Sequence, residues 1–213
     1  MPSPSTPLLD DFNRADTGPP ASSNWSNDPG SYGASGHKIV SNECRGNANP
    51  WNHSWWNAGV YAPDSEVWIT VATLPFSNDE RVEVGVRAQD VGTPFLDAYE
   101  FQWKQKTAGT DEWYLFRKDN GGQTQLGATI TGPDLAAGDG IWLEAIGDTL
   151  NGYRRNAGTW TLVGTRTDST FGSGYLLLYN DDTFAHLDDF GGGPIGSNIS
   201  TTYAEDFGGA TYE

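Results

Sequence analysis

Two stretches, RVEVGVRAQ (81–89) and AYEFQWKQK (98–106), decide how this chain folds. Both alternate apolar and polar side chains. In an extended strand successive side chains point to opposite faces, so residues i, i+2 and i+4 share a face. Val82, Val84 and Val86 then face a core, while Arg81, Glu83, Gly85 and Arg87 face outward. Tyr99, Phe101 and Trp103 likewise face in, against Glu100, Gln102 and Lys104 on the other side. The same rhythm spreads outward to VWITVATL (67–74), EWYLFRKD (112–119), QTQLGATI (123–130), IWLEAIGD (141–148), LNGYRRNAG (150–158), WTLVGTRTD (160–168), GYLLLYND (174–181) and HLDDFGGG (186–193). Asn120-Gly121-Gly122 is a hairpin signal, because Asn and Gly accept the positive φ of a tight turn. Asp181-Asp182 reads as a turn. No window sustains a 3.6-residue apolar period. The pattern predicts an all-β chain of about ten to twelve short strands, folded as a two-sheet antiparallel β-sandwich of jelly-roll type, since so many strand edges must be covered.

The segment 17–57 differs. It is rich in Gly, Ser, Asn and Pro with Trp interspersed, and reads as short strands and long loops covering one end of the sandwich. Residues 1–7 form an N-terminal arm, 8–193 the sandwich, and 194–213 a C-terminal extension suited to add a strand to a neighbour or to serve as an attachment tail.

The chain has 213 residues and a formal net charge of -16. Nucleic-acid binding needs a basic stripe to release counterions, and anionic bilayers attract basic patches; neither partner fits this charge. Aromatics make up 13% of the residues, too many for a disordered acidic tail. A single cysteine, Cys44, allows no internal disulfide. The start MPSPSTPLLDDF has neither a basic beginning nor an apolar core, so no signal peptide is expected.

LLDDFNRADTG (8–18) followed by NWSN (24–27) resembles the start of a concanavalin A-like lectin/glucanase domain of the laminin-G-like branch. DEWYLFRKDNGG (111–122), LAAGDGIWLEAIGDTLNGYRRNAGTW (135–160) and GSGYLLLYNDDTFAHLDDF (172–190) resemble that group's hairpin, its Gly-Asp-punctuated strands and its closing strand pair, whose last strand runs beside the first. The resemblance implies a protein that acts by contact. It points to a virion accessory protein of a tailed phage, either a capsid decoration or a minor tail protein, located at the virion surface and self-associating beside other virion proteins. Its sandwich would be lectin-like and able to bind host cell-wall carbohydrate. A secreted bacterial carbohydrate-binding module and a polysaccharide hydrolase of the laminarinase-like fold are the alternatives.

Each reading has its residues. Carbohydrate binding takes aromatic rings for stacking and planar polar groups for hydroxyls; Trp51, His53, Trp55 and Trp56 supply the first, and Arg81, Glu83, Arg87 and Gln102 the second. Hydrolysis by the related glucanases uses carboxylates alternating along one strand, and no strand here carries them, so an acid pair would have to span two strands. The resemblance also implies one structural Ca²⁺ between the first and last strands, with Asp11 and Asp189, each preceding a Phe, as hard oxygen ligands.

Overall fold

The computed structural model describes residues 2–27, 34–75 and 77–196. The first strands are β1 (Leu8–Asp10), β2 (Trp25–Asn27), β3 (His37–Val40), β4 (Glu43–Gly46), β5 (Asn52–Tyr61), β6 (Ser65–Thr73), β7 (Arg81–Gln89) and β8 (Asp97–Lys104). There follow β9 (Glu112–Asp119), β10 (Gly122–Gln125), β11 (Ile130–Thr131), β12 (Asp139–Ile146), β13 (Thr149–Asn156), β14 (Thr159–Thr167), β15 (Gly174–Asn180) and β16 (His186–Pro194). Among the described residues no helix is long and apolar enough to cross a membrane.

The strands form two eight-stranded sheets. The first has the order β14-β13-β12-β6-β16-β4-β3, with β1 also on β16; the second has the order β10-β9-β8-β7-β15-β5-β2, with β11 on β9. The first strand does lie beside the last, with Leu8 opposite Gly191 and Asp10 opposite Phe190.

Alternation builds the core between the sheets. Val67, Ile69, Val71, Ile141 and Leu143 point inward from the first sheet, and Val82, Val84, Tyr99, Phe101 and Trp113 from the second; all are fully buried. Phe101 stacks on Trp113, ring centroids 5.2 Å apart. Gly152 on β13 makes room for this pair, because a Cβ there would sit 2.4 Å from the Phe101 ring. The β9–β10 turn is the expected hairpin: Asn120 (φ 53°) and Gly121 (φ 76°) are both left-handed, as a two-residue type I′ turn requires.

Three local expectations change. The segment 17–57, expected as short strands and long loops, holds the short strands β2, β3 and β4 but also the start of a ten-residue strand, β5, which lies inside the second sheet between β15 and β2. Its alternation was hidden because both faces of NHSWW are covered: Trp56 lies in the core, while His53 and Ser54 are also buried. The return strand expected over 123–130 splits into β10 and β11 around Gly127 (φ 77°). Arg87 does not continue the outward row of β7. It sits at a bulge with φ 54°, and its guanidinium donates to the carbonyls of Pro63 (2.8 Å), Phe171 (2.9 Å) and Gly147 (2.7 Å).

At the ends, Glu66 holds the N-terminal arm by accepting hydrogen bonds from the Ser5 and Thr6 amides at 2.6 and 2.8 Å. The C-terminal extension lies, from residue 197 on, outside the described residues.

Replacing Phe101 with Ala should lower the unfolding free energy by about 3–5 kcal/mol, the usual cost of emptying a core aromatic site. Gly121→Val should cost about 1–3 kcal/mol, from left-handed strain and from its contact with the Pro94 carbonyl. Urea unfolding measures both, and a Gly121→Val protein as stable as the original would contradict the turn described.

Candidate functional site

The outward residues of the second sheet fall into one row across five strands. Register places His53 (β5) opposite Tyr179 (β15), Tyr179 opposite Glu83 (β7), Glu83 opposite Gln102 (β8) and Gln102 opposite Tyr114 (β9). A pocket of about 170 Å³ opens on this face, lined by Ala34, Trp51, His53, Arg81, Glu83, Lys118, Gln123 and Tyr179. Four residues marked from the sequence for sugar binding, Trp51, His53, Arg81 and Glu83, therefore meet in one place. Trp51 is 40% exposed, which leaves part of its indole open to solvent.

The other four are placed differently. Gln102 is buried beside Glu83 in the row but does not line the pocket. Trp55 shares the outer face but packs with Leu177, Ala88 and Leu96 in a separate apolar cluster. Trp56 has the opposite parity and faces the core, edge-on to Trp25 at 5.4 Å. Arg87 caps backbone carbonyls, as described above.

Two ion pairs shape the pocket. Arg81 grips Asp181 with two hydrogen bonds of 2.6 Å and also donates to the Tyr179 hydroxyl at 3.0 Å. Burial opposes the Arg81 charge, but the hydrogen-bonded Asp181 carboxylate leads the effects that offset this and keep it firmly protonated. Lys118 donates to Glu100 at 3.0 Å, with both side chains buried.

Glu83 and Glu100 lie diagonally across the β7–β8 ladder, since Glu100 opposes Gly85. Diagonal side chains are within reach of each other, and each carboxyl group acts on the other's titration. Burial first, then the Glu100 charge, pushes Glu83 up from 4.5 to about 8. Burial also acts on Glu100, but the Lys118 ammonium, with smaller help from His53, holds it below the usual carboxylate range. The pair therefore carries one proton and one negative charge at neutral pH, since two adjacent carboxylates do not both ionise readily.

Behind the pocket is a second polar layer. His37 contacts the Ser54 hydroxyl through Nδ1 (2.8 Å) and Asn180 Oδ1 through Nε2 (2.9 Å). Burial pushes His37 down to about 3, so it stays neutral. Asn52 donates to the Ala48 carbonyl at 2.7 Å and the Asp182 carbonyl at 3.2 Å, tying β5 to the turn after β15.

The candidate metal ligands do not form a comparable site. The Asp11 carboxylate accepts from the Asn13 amide at 3.0 Å in a local turn. Asp189 (φ 51°) donates its own amide to Asp188 at 2.9 Å. Asp10, which sequence reasoning passed over, takes a bidentate hold on Arg14 at 2.6 and 2.8 Å and accepts from the Trp25 indole at 2.8 Å. Among the described residues no group of three His, Cys, Asp or Glu could hold a metal ion, whereas Ca²⁺ takes six to eight oxygens. The structure therefore brings no cluster of carboxylates together at Asp11 and Asp189.

The Glu83 proton makes stability depend on pH. Unfolded, the group titrates near 4.5; folded, near 8. Its contribution is therefore complete below about 4.5 and is lost as pH rises toward 8. Relative to Glu83→Gln, the wild-type melting temperature should fall between pH 5 and pH 8. Thermal melts at both values test this, and profiles that stay parallel would contradict the shared-proton pair.

The sequence matches no family model and no curated protein. Solved structures do share its shape. The carbohydrate-binding module CBM66 from Bacillus subtilis aligns with a TM-score of 0.59 at 17% identity, over 78% of this chain and 91% of that one. The CBM2 module of the evolved Dit of Lactobacillus casei BL23 phage J-1 aligns at 0.58 and 13%, over 85% and 91%. The exoplasmic/lumenal domain of VIP36, in its Ca²⁺/Man-bound form, aligns at 0.58 and 11%, over 79% and 82%. Identities this low speak to architecture alone, and that architecture is a concanavalin A-like β-sandwich jelly roll.

Proposed function

We propose that this chain is a carbohydrate-binding sandwich that engages glycan through the outer face of its second sheet, at the pocket bounded by Trp51, His53, Arg81, Glu83 and Tyr179. The observation that carries this reading is the convergence, in one pocket, of a part-exposed indole with forked and planar polar groups. Sugar sites ask for that combination: a few convergent polar groups in an otherwise aromatic or apolar recess. The names of two neighbours in shape, a carbohydrate-binding module and a CBM2 module of a phage Dit, support the same reading.

The proposed setting is the surface of a tailed-phage virion, as a capsid decoration or minor tail protein that self-associates and sits beside other virion proteins. The phage Dit module supports this setting. The charge of -16 suits densely displayed copies, which would repel one another and remain soluble. A secreted bacterial module would use the same pocket on a different carrier.

Hydrolysis is the weaker reading. The structure does bring two carboxyl groups together from neighbouring strands, one of them with a raised pKa. Both are buried, however, and Glu100 is held by Lys118 at 3.0 Å, whereas glycosidases set two acids about 5–5.5 Å apart for retention or about 6.5–9.5 Å apart for inversion, on either side of an open cleft. Of the two, only Glu83 lines the pocket, so no second acid faces it across a bound sugar there.

A glycan array probed with the labelled protein tests the proposal. Trp51→Ala should weaken retention about tenfold or more, as loss of a central aromatic anchor does. Leu162→Ala, on the exposed face of the other sheet, should leave retention unchanged. An array that retains no wild-type protein, or polysaccharide samples that release reducing sugar, would overturn it.

A further inference from the structure

We infer that the pocket is built for an uncharged sugar ring and excludes acidic sugars such as uronates, sialates and sugar phosphates. The inference rests on the carbohydrate-binding reading and adds the chemical class of the ligand.

The first argument is the state of the cations. Acidic sugars are recognised by an Arg fork or a Lys ammonium left open to them. The two such groups lining the pocket are already matched: both arms of the Arg81 contact close on Asp181, and Lys118 closes on Glu100. An incoming carboxylate would have to displace Asp181, which is 7% exposed, and leave it without its cation, held only by the Tyr179 hydroxyl, in a partly desolvated place.

The second argument is the surplus of acid. Asp181, Glu100 and Glu83 face the region of Arg81 and Lys118, three carboxyl groups against two cations. The spare group, Glu83, is held uncharged by burial and by Glu100, so the five groups balance near neutrality. A guest carboxylate or phosphate would upset that balance toward repulsion, in a molecule that already carries a charge of -16.

The third argument is size. At about 170 Å³ the cavity is smaller than the range of about 300–1,000 Å³ typical of drug-sized sites. That suits one ring, with the rest of the glycan outside and the Trp51 indole at hand for its apolar face.

The test immobilises neutral polymers (mannan, galactan and a β-glucan) and acidic ones (polygalacturonate, hyaluronate and a teichoic acid) and titrates the intact chain over each at 50 and 500 mM NaCl. Retention on at least one neutral polymer, changed less than twofold by salt, and none on the acidic set is the expected result. Salt-sensitive retention on an acidic polymer in preference to all neutral ones would overturn the inference while leaving carbohydrate binding intact. Retention on neither set would overturn both. Asp181→Asn, which opens the Arg81 fork, should gain at least tenfold in retention on polygalacturonate. A folded Asp181→Asn protein without that gain would count against the matched-cation argument, and the salt dependence of the wild type decides the question if the variant does not fold.

Discussion

The structure depends on the two-residue period of β7 and β8. It sends Val82, Val84, Tyr99, Phe101 and Trp103 into the core and, by the same geometry, sends Arg81, Glu83, Glu100 and Gln102 to the opposite face. A slip of one residue would exchange the two sets. Core and candidate site are therefore specified together: apolar burial, at roughly 25 cal/mol per Å², fixes the register, and the register fixes which polar groups meet. The energy that positions Glu83 comes from the valines on either side of it.

That arrangement brings a cost which the surrounding residues offset. Glu83, Glu100 and Lys118 are all buried on the outer face. Burying ions without partners would cost several kcal/mol each. Here one carboxyl keeps its proton, the other pairs with Lys118, and Asp181 answers Arg81 from just beyond the end of β15. The result is a polar surface that is largely ordered before any ligand arrives, which reduces the entropy lost on binding. The neutral His37 and the Asn52 hydrogen bonds stiffen the layer behind it.

Strand identity was legible because alternation is a local property; Arg81, Glu83 and Gln102 could be marked as outward, and the Asn120–Gly121 turn named, from neighbours in sequence alone. Trp51 and His53 stood out through their clustering with Trp55 and Trp56. Tyr179 and Lys118 were not legible as site residues, because they join the pocket only through pairing of β15 with β7 and of β8 with β9. Sequence carries no direct mark of pairing between strands some ninety residues apart. Trp56 and Arg87 misled for opposite reasons. In β5 both faces are covered, so parity could not be read there; at Arg87 parity was clear, but a bulge with left-handed φ turned the side chain away. For the calcium ligands, the resemblance pointed to the first and last strands, which do pair, while Asp11 accepts from a local turn and its neighbour Asp10 is engaged by Arg14 and Trp25.

The most direct measurement of whether this outer row is the binding face is an amide and indole chemical-shift titration with a soluble neutral oligosaccharide. The account predicts perturbations concentrated at the Trp51 indole and at His53, Glu83 and Tyr179, with the aromatic cluster of Trp142, Tyr153 and Trp160 on the opposite sheet unmoved. Perturbations gathered on that opposite cluster, with the row from His53 to Gln102 silent, would contradict it.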